Sequence, residues 1–280
     1  MGHVFRLIGS LILARLLSPE ITGLMALVTV CVVGIHMFSD LGIRAVIVQH
    51  RRGDEPDFFN TAWTIQIVRG CFLWVCAILI TWPAAWFYGQ PSLMVLLPVL
   101  GFTAVIDGFT STKLYSAERH LNQKRLIVLT LTSQVIFLII TIVWAYFHRS
   151  IWALVAGNLA GPATRTLLSH LALPGENNRF RMQPEARRDV LNFGRWVSVS
   201  SLFAFLSLQA DRLMFGKMIP MVLLGVYNTG AMYARLPVES LLKLGSSVGY
   251  PLFCRSYREH GNLDSVFRRV SMVILILGGA

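Results

Sequence analysis

An all-α polytopic transmembrane helix bundle is the fold class this sequence predicts. Three observations carry it: apolar runs of membrane-spanning length, a composition too poor in charge for a soluble domain, and basic residues confined to alternate gaps between the runs. Of 280 residues, 55% are hydrophobic and 14% charged, where an ordinary soluble domain is about a quarter charged. Arg51 and Arg52 share one gap. Lys113, Arg119, Lys124 and Arg125 lie two gaps later, then Arg179, Arg181, Arg187 and Arg188, then Arg255, Arg258, Arg268 and Arg269. The gaps between hold only Arg15, Arg149 and Lys217, at or near their edges. Lys and Arg are retained on the cytoplasmic side during insertion, so the alternation predicts a multi-pass protein with its basic loops in the cytoplasm. The net charge of +11 is then topological. Without interleaved aromatic platforms in the basic loops, nucleic acid is not expected as a partner.

Taking about 20 apolar residues per crossing of roughly 30 Å, the elements follow in order. The first helix runs to about Leu17 and is truncated, because Met1 begins inside it; with Arg6 and Arg15 in it and no small-residue cleavage site before Ser18-Pro19-Glu20, it does not read as a cleaved signal peptide. Further helices are expected near 21–48, 62–88, 92–117, 126–147, 150–173, 193–216 and 221–254, and a ninth opens near 268. The clearest is 126–147, which holds no charge, and Val270–Ala280 is too short to span. Pro83, Pro98, Pro162, Pro237 and Pro251 fall inside apolar runs, where each removes a backbone donor and predicts a kink. The outward loops are a few residues long. The inward ones, 51–60, 116–125 and 175–193, are longer and amphipathic, and are expected along the inner interface against anionic headgroups of the membrane lipids. The domain reading is a first six-helix bundle over 1–173, a cytoplasmic amphipathic linker over 174–192, and the start of a second bundle over 193–280.

Cys31, Cys71, Cys76 and Cys254 lie in or at the ends of apolar runs without CxxC spacing, as small buried apolar residues do. No hydrolytic triad, HExxH, P-loop or GxGxxG opening a helix is present, so no ATP-driven engine, metal site or cofactor is expected.

Charges inside apolar spans cost about 2.5 to 3.5 kcal/mol on the insertion scale and so need a reason. Arg235 is the deepest, roughly 20 Å below the helix start near Met221. Glu239 and Lys243 follow at i+4 and i+8 and share its face, forming either a self-neutralising stripe or a stripe facing a cavity. Asp211 and Arg212 lie toward the outer end of the seventh helix, about 100° apart around it, so they are not each other's main partner. Asp40 and Arg44 are spaced for an i, i+4 ion pair at the inner end of the second helix. Asp107 sits about 22 Å in from the outer end of the fourth, with only Lys113 in local reach; such an acid can carry a proton or sodium. Arg69 and Arg165 are expected to snorkel to the inner interface, and His36 to hydrogen-bond within the bundle. There is also an internal echo: Arg15-Leu16-Leu17, a break, then Gly23-Leu24-Met25 resembles Arg212-Leu213-Met214, a break, then Gly225-Val226-Tyr227. Helices one and two would then correspond to seven and eight in a repeat of six helices.

Residues 14–24, Ala-Arg-Leu-Leu-Ser-Pro-Glu-Ile-Thr-Gly-Leu, continuing to Phe38-Ser39-Asp40-Leu41-Gly42-Ile43 and Val48-Gln49, resemble the first helical hairpin of the oligosaccharide flippase (polysaccharide biosynthesis protein) family. Phe193-Gly194, the stretch from Asp211 to Lys217, Leu224-Gly225-Val226-Tyr227, Arg235-Leu236-Pro237 and Tyr250-Pro251-Leu252-Phe253 resemble its seventh and eighth helices. The resemblance implies the multidrug, oligosaccharidyl-lipid and polysaccharide exporter superfamily: two six-helix bundles around a central cavity, moving undecaprenyl-pyrophosphate-linked sugars across the bacterial inner membrane for O-antigen, lipopolysaccharide or exopolysaccharide assembly. Against that pattern the chain lacks the start of the first helix and stops in the ninth, as an incomplete product would. On this reading Arg235, Arg212 and Arg44 contact anionic substrate groups. Asp107, Asp211, Asp40 and Glu239 are coupling or structural acids, H+ or Na+ is the coupling ion, and polysaccharide assembly proteins are contacts. The chain is then not an enzyme. The alternatives are a multidrug or cation exporter of the same superfamily, which would favour acidic cavity walls, and an O-antigen ligase or polymerase, which would need a longer extracytoplasmic loop. A purely structural scaffold leaves the intramembrane charges unexplained.

Overall fold

The computed structural model describes residues 9, 12–13, 15–38, 42–43, 46–47, 55–119, 123–175 and 178–244, with side chains as far as 234 in the last stretch. Two compact units, Met1–Val226 and Tyr227–Ala280, are taken each by itself. Among the described residues, all regular structure is helical. In chain order the helices are α1 (Pro19–Phe38), α2 (Pro56–Tyr88), α3 (Leu93–Gly101), α4 (Thr103–Gly108), α5 (Lys113–Arg119), α6 (Gln123–Phe147), α7 (Ile151–Leu171), α8 (Pro184–Met218) and α9 (Met221–Leu244). Among them α1, α2, α6 and α8 contain stretches long and apolar enough to cross a membrane.

The surface of α2 shows which solvent the fold is built for. Val68, Phe72, Val75, Leu79, Trp82 and Trp86 recur at alternating spacings of four and three and are exposed, Trp86 to 77%. In water such a stripe is an aggregation hazard, whereas against acyl chains it costs nothing. The opposite face of α2 buries Phe58, Ala62, Ile65, Leu73, Ala77 and Ala84. Cys71, expected inside, is exposed on this helix instead.

Two helices start earlier than expected, for one reason. Counting apolar residues finds only the stretch in hydrocarbon, while an amphipathic helix continues beyond it. In α8 the i, i+4, i+8 set Ala186, Val190 and Gly194 is buried while Arg187 and Arg188 are exposed, so the expected linker segment 184–192 is the first part of the helix. In α2, Pro56 stands in the first turn, where its missing N–H has no intrahelical partner to lose. At the far end of α2, Gly89 takes φ 65° and ψ 29° and donates to the Ala85 and Trp86 carbonyls, a left-handed cap that glycine adopts without strain. The turn there ends at Ser92, and the equivalent links after α6 and α8 are shorter still.

Two apolar clusters mark the ends of the first unit. At the end with the short turns, Leu17, Met25, Leu27 and Val28 pack with Ala84, Ala85, Leu93, Leu97, Ala153 and Leu224. At the other, Ile43, Val46 and Ile47 pack with Phe58, Ala62, Ile65, Ala186 and Val190. The polar residues lie between.

Candidate functional site: a polar cavity beside a broken span

The expected helix over 92–117 kinks at Phe102, four residues past Pro98, and is interrupted between Gly108 and Lys113; that break positions the site. α3 passes through Pro98 and stops at Gly101; α4 resumes after Phe102 and ends at Gly108; α5 begins only at Lys113. Interrupted backbone at membrane depth is tolerated only where protein satisfies its polar groups, and two neighbours do so. From α2, Trp74 Nε1 donates to the Pro98 carbonyl at 3.0 Å and Trp63 Nε1 to that of Phe109 at 3.4 Å. Gln66 Nε2 reaches the carbonyls of Asp107, Gly108 and Thr110 at 2.8, 3.2 and 3.3 Å. From α7, Thr166 Oγ1 donates to the Ile106 carbonyl at 3.0 Å, and Ser169 Oγ accepts the Ser111 N–H at 2.9 Å. The approach is close because it is small: a Cβ on Gly70 would lie 2.5 Å from the Ala104 carbonyl oxygen.

Beside the break lies a cavity of about 210 Å3 lined by His36, Gln66, Arg69, Asp107, Thr110, Tyr115 and Arg165, among others. A second, of about 280 Å3, shares His36 and Asp107 and continues past Thr29, Thr103 and Asn158. The Asp107 carboxylate interacts electrostatically with the Arg165 and Arg69 guanidinium groups, which brings one acid and two bases into one polar interior. Arg69 is anchored there by donating from Nη2 to the His36 carbonyl at 2.7 Å. Two sequence expectations are thereby corrected. Arg69 lines the cavity with Asp107, joined at its edge by Arg165, which stays exposed, and the partners of Asp107 are these two rather than Lys113. Local reach along one helix cannot show what neighbouring helices bring. Of the His36 ring, Nε2 is buried beside the cavity without a hydrogen-bond partner among the described residues.

The other expected site residues are placed unevenly. Asp211 and Arg212 are half-buried in α8, and Arg212 donates from Nη1 to Gln209 Oε1 at 3.1 Å. Arg235 and Glu239 belong to α9, but their side chains lie outside the described residues, as Asp40 and Arg44 do entirely. The linker before α8 is described from Asn178. Asn178 Oδ1 accepts from Ser111 Oγ at 2.6 Å, and the N–H groups of Arg179, Arg181 and Gln183 donate to Asn60 Oδ1, Thr64 Oγ1 and Thr61 Oγ1 at 2.8, 3.1 and 3.0 Å. Arg181 also pairs with Asp57. This extended segment is thus bonded to the side chains of α2.

An apolar helical fold with a charged interior narrows the class of protein, and comparison with known sequences decides the family. The profile described as "Polysaccharide biosynthesis protein" matches residues 12–278. The chain belongs to that family. Among its relatives, the amylovoran biosynthesis protein AmsL of Erwinia amylovora is 22% identical over 236 residues, covering 82% of this chain and 60% of the relative. The teichuronic acid biosynthesis protein TuaB of Bacillus subtilis (strain 168) is 20% identical over 239 residues, covering 85% of this chain and 49% of the relative. The chain therefore spans about half to three-fifths of the length of these polysaccharide biosynthesis proteins. No solved structure matches significantly. For this member of the polysaccharide biosynthesis protein family, the cavity residues that sequence reasoning passed over are Gln66 and Tyr115. A glutamine in an apolar run was the available signal, since an amide buried there must find backbone partners.

Proposed function

We propose that the chain is part of a flippase that moves undecaprenyl-pyrophosphate-linked oligosaccharide repeat units across the bacterial inner membrane, with its basic loops in the cytoplasm. The observation that carries the reading is family membership across the chain combined with charged residues kept inside an apolar helix bundle. The physical task fits. Hydrocarbon resists a pyrophosphate and a large sugar head because their hydration must be stripped. Guanidinium groups in a wet cleft replace that hydration with charge-assisted, bidentate bonds while the lipid tail stays in the bilayer.

In this reading no covalent bond is made or broken, and the chain is not an enzyme. Arg235, at mid-depth by helical rise, is the first contact for the phosphates, with Arg212 and Arg44 beside it in role. Asp107, Asp211, Asp40 and Glu239 serve as coupling or structural acids for a proton or sodium gradient. The short links after α2, α6 and α8 offer no room for an extracytoplasmic catalytic domain among the described residues, which favours transport over a ligase or polymerase. The test is Arg235→Ala in a full-length version at normal abundance. Surface polysaccharide should fall sharply; wild-type levels would remove that residue from the mechanism.

A further inference from the structure

The two glycines of the sequence echo occupy matching places. Gly23 is the fifth residue of α1 and Gly225 the fifth residue of α9. A Cβ on Gly23 would collide with the carbonyl oxygen of Met221, the first residue of α9, and lie 2.9 Å from the Gly225 nitrogen. A Cβ on Gly225 would collide with the carbonyl oxygen of Pro19, the first residue of α1, and lie 2.8 Å from Thr22 Oγ1. The contact is reciprocal: first residue to fifth in both directions. Residue i touching j while j's counterpart touches i's is the mark of a two-fold axis, here within one chain and between the glycines. Two unrelated helices that happened to cross would pair unmatched positions. The sequence echo and the geometry are independent of each other and agree.

The crossing also sits where a seal would be needed. Leu17, Met25 and Leu224 are buried around it, with Ile219 and Met221 packed on. One side of the polar interior, at Thr29, begins about 9 Å further along α1. With no side chain on either glycine, backbone lies directly against backbone, a contact that is close but small and so one that can part and re-form.

We propose that the Gly23–Gly225 crossing is the closure at this end of the molecule, the point where the two copies of the repeat touch and must separate when the interior opens to that side. The proposal rests on the transport reading, and its test separates the two. In a chain with Cys31, Cys71, Cys76 and Cys254 replaced by alanine, Leu224→Cys reports access at the crossing, since Leu224 is fully buried. A membrane-impermeant maleimide added on that side should label it slowly. Gly23→Ala or Gly225→Ala should each raise the labelling rate at least tenfold and by similar factors, with the double variant well below their product because either methyl parts the same contact. Gly230→Ala, whose methyl meets nothing within 4 Å, should leave the rate unchanged. Protection indifferent to both alanines, or unequal and multiplicative effects, would overturn the closure. If the alanine chains do not accumulate, Leu224→Cys alone decides: labelling as fast as Met218→Cys, at a position 71% exposed, refutes it. If the alanines open the site but a lipid-linked oligosaccharide in proteoliposomes does not change its labelling, the closure stands and the transport reading fails.

Discussion

Replacing Gln66 by methionine tests whether the broken span is held by its neighbours. Gln66 is 6% exposed, and its amide has two hydrogens for three carbonyls. One serves the Asp107 carbonyl at 2.8 Å; the other is shared between those of Gly108 and Thr110 at 3.2 and 3.3 Å. Methionine keeps the volume, so the packing change is small. The Asp107 carbonyl keeps the Thr110 N–H at 3.1 Å, so one bond's worth of buried acceptor, at Gly108 and Thr110, is left unmet, costing about 1–3 kcal/mol. Both residues border the cavity, where water can repair part of the loss, so the low end applies: about 1–2 kcal/mol. Unfolding by SDS titration from mixed micelles, followed through tryptophan fluorescence, reads this directly, because Trp63 and Trp74 bond to the same span. Gln66→Glu should be worse still, since a carboxylate donates nothing to a carbonyl. A methionine variant as stable as the parent, or a glutamate variant more stable than the methionine one, would refute the account.

Gly157→Ala should destabilise the seam between α6 and α7, because the added methyl collides with the Thr141 hydroxyl and lies 3.1 Å from the Phe137 ring; overpacking of this kind costs about 1–3 kcal/mol, again read by SDS titration. Asp107→Asn should weaken the fold by leaving Arg69 and Arg165 without their acid, and adding Arg165→Gln should recover part of the loss; additive losses would show that the charges do not interact. Arg181→Ala should cost under about 1 kcal/mol, since its pair with Asp57 is largely exposed. Thr64→Val, which keeps the shape but removes the acceptor for the Arg181 N–H, should speed proteolysis of the linker more than Arg181→Ala does.

The fold class was legible because hydropathy and basic asymmetry record the physics of insertion, and both are properties of single segments. The short turns at 88–92 and 148–150 followed from the same pattern. Helix starts were not legible at Pro56 and Pro184, where the amphipathic extensions satisfy a buried face too narrow for a hydropathy count. Nor was the break between Gly108 and Lys113. The kink that Pro98 predicts is present at Phe102, whose own angles stay helical, but the interruption after Gly108 requires Trp63 and Gln66 of one helix and Thr166 and Ser169 of another to satisfy the freed backbone. For the site, depth along a single helix picked out Asp107 correctly as an interior acid. It mistook Arg69 for a snorkelling residue because reach toward the interface and reach into a neighbouring cavity look the same until the helices are packed.

The length of α2 has one more consequence. Its 33 residues make a rod of about 50 Å, against an oily layer of about 30 Å. A left-handed glycine stops it at one end, where the next helix starts four residues on. The surplus must therefore come out on the opposite side, where the extended segment from Asn178 to Gln183 is tied along it. Along α2, the first unit is nearly flush with one face of the bilayer and stands proud of the other. A partner approaching α2 from water meets it on that proud side.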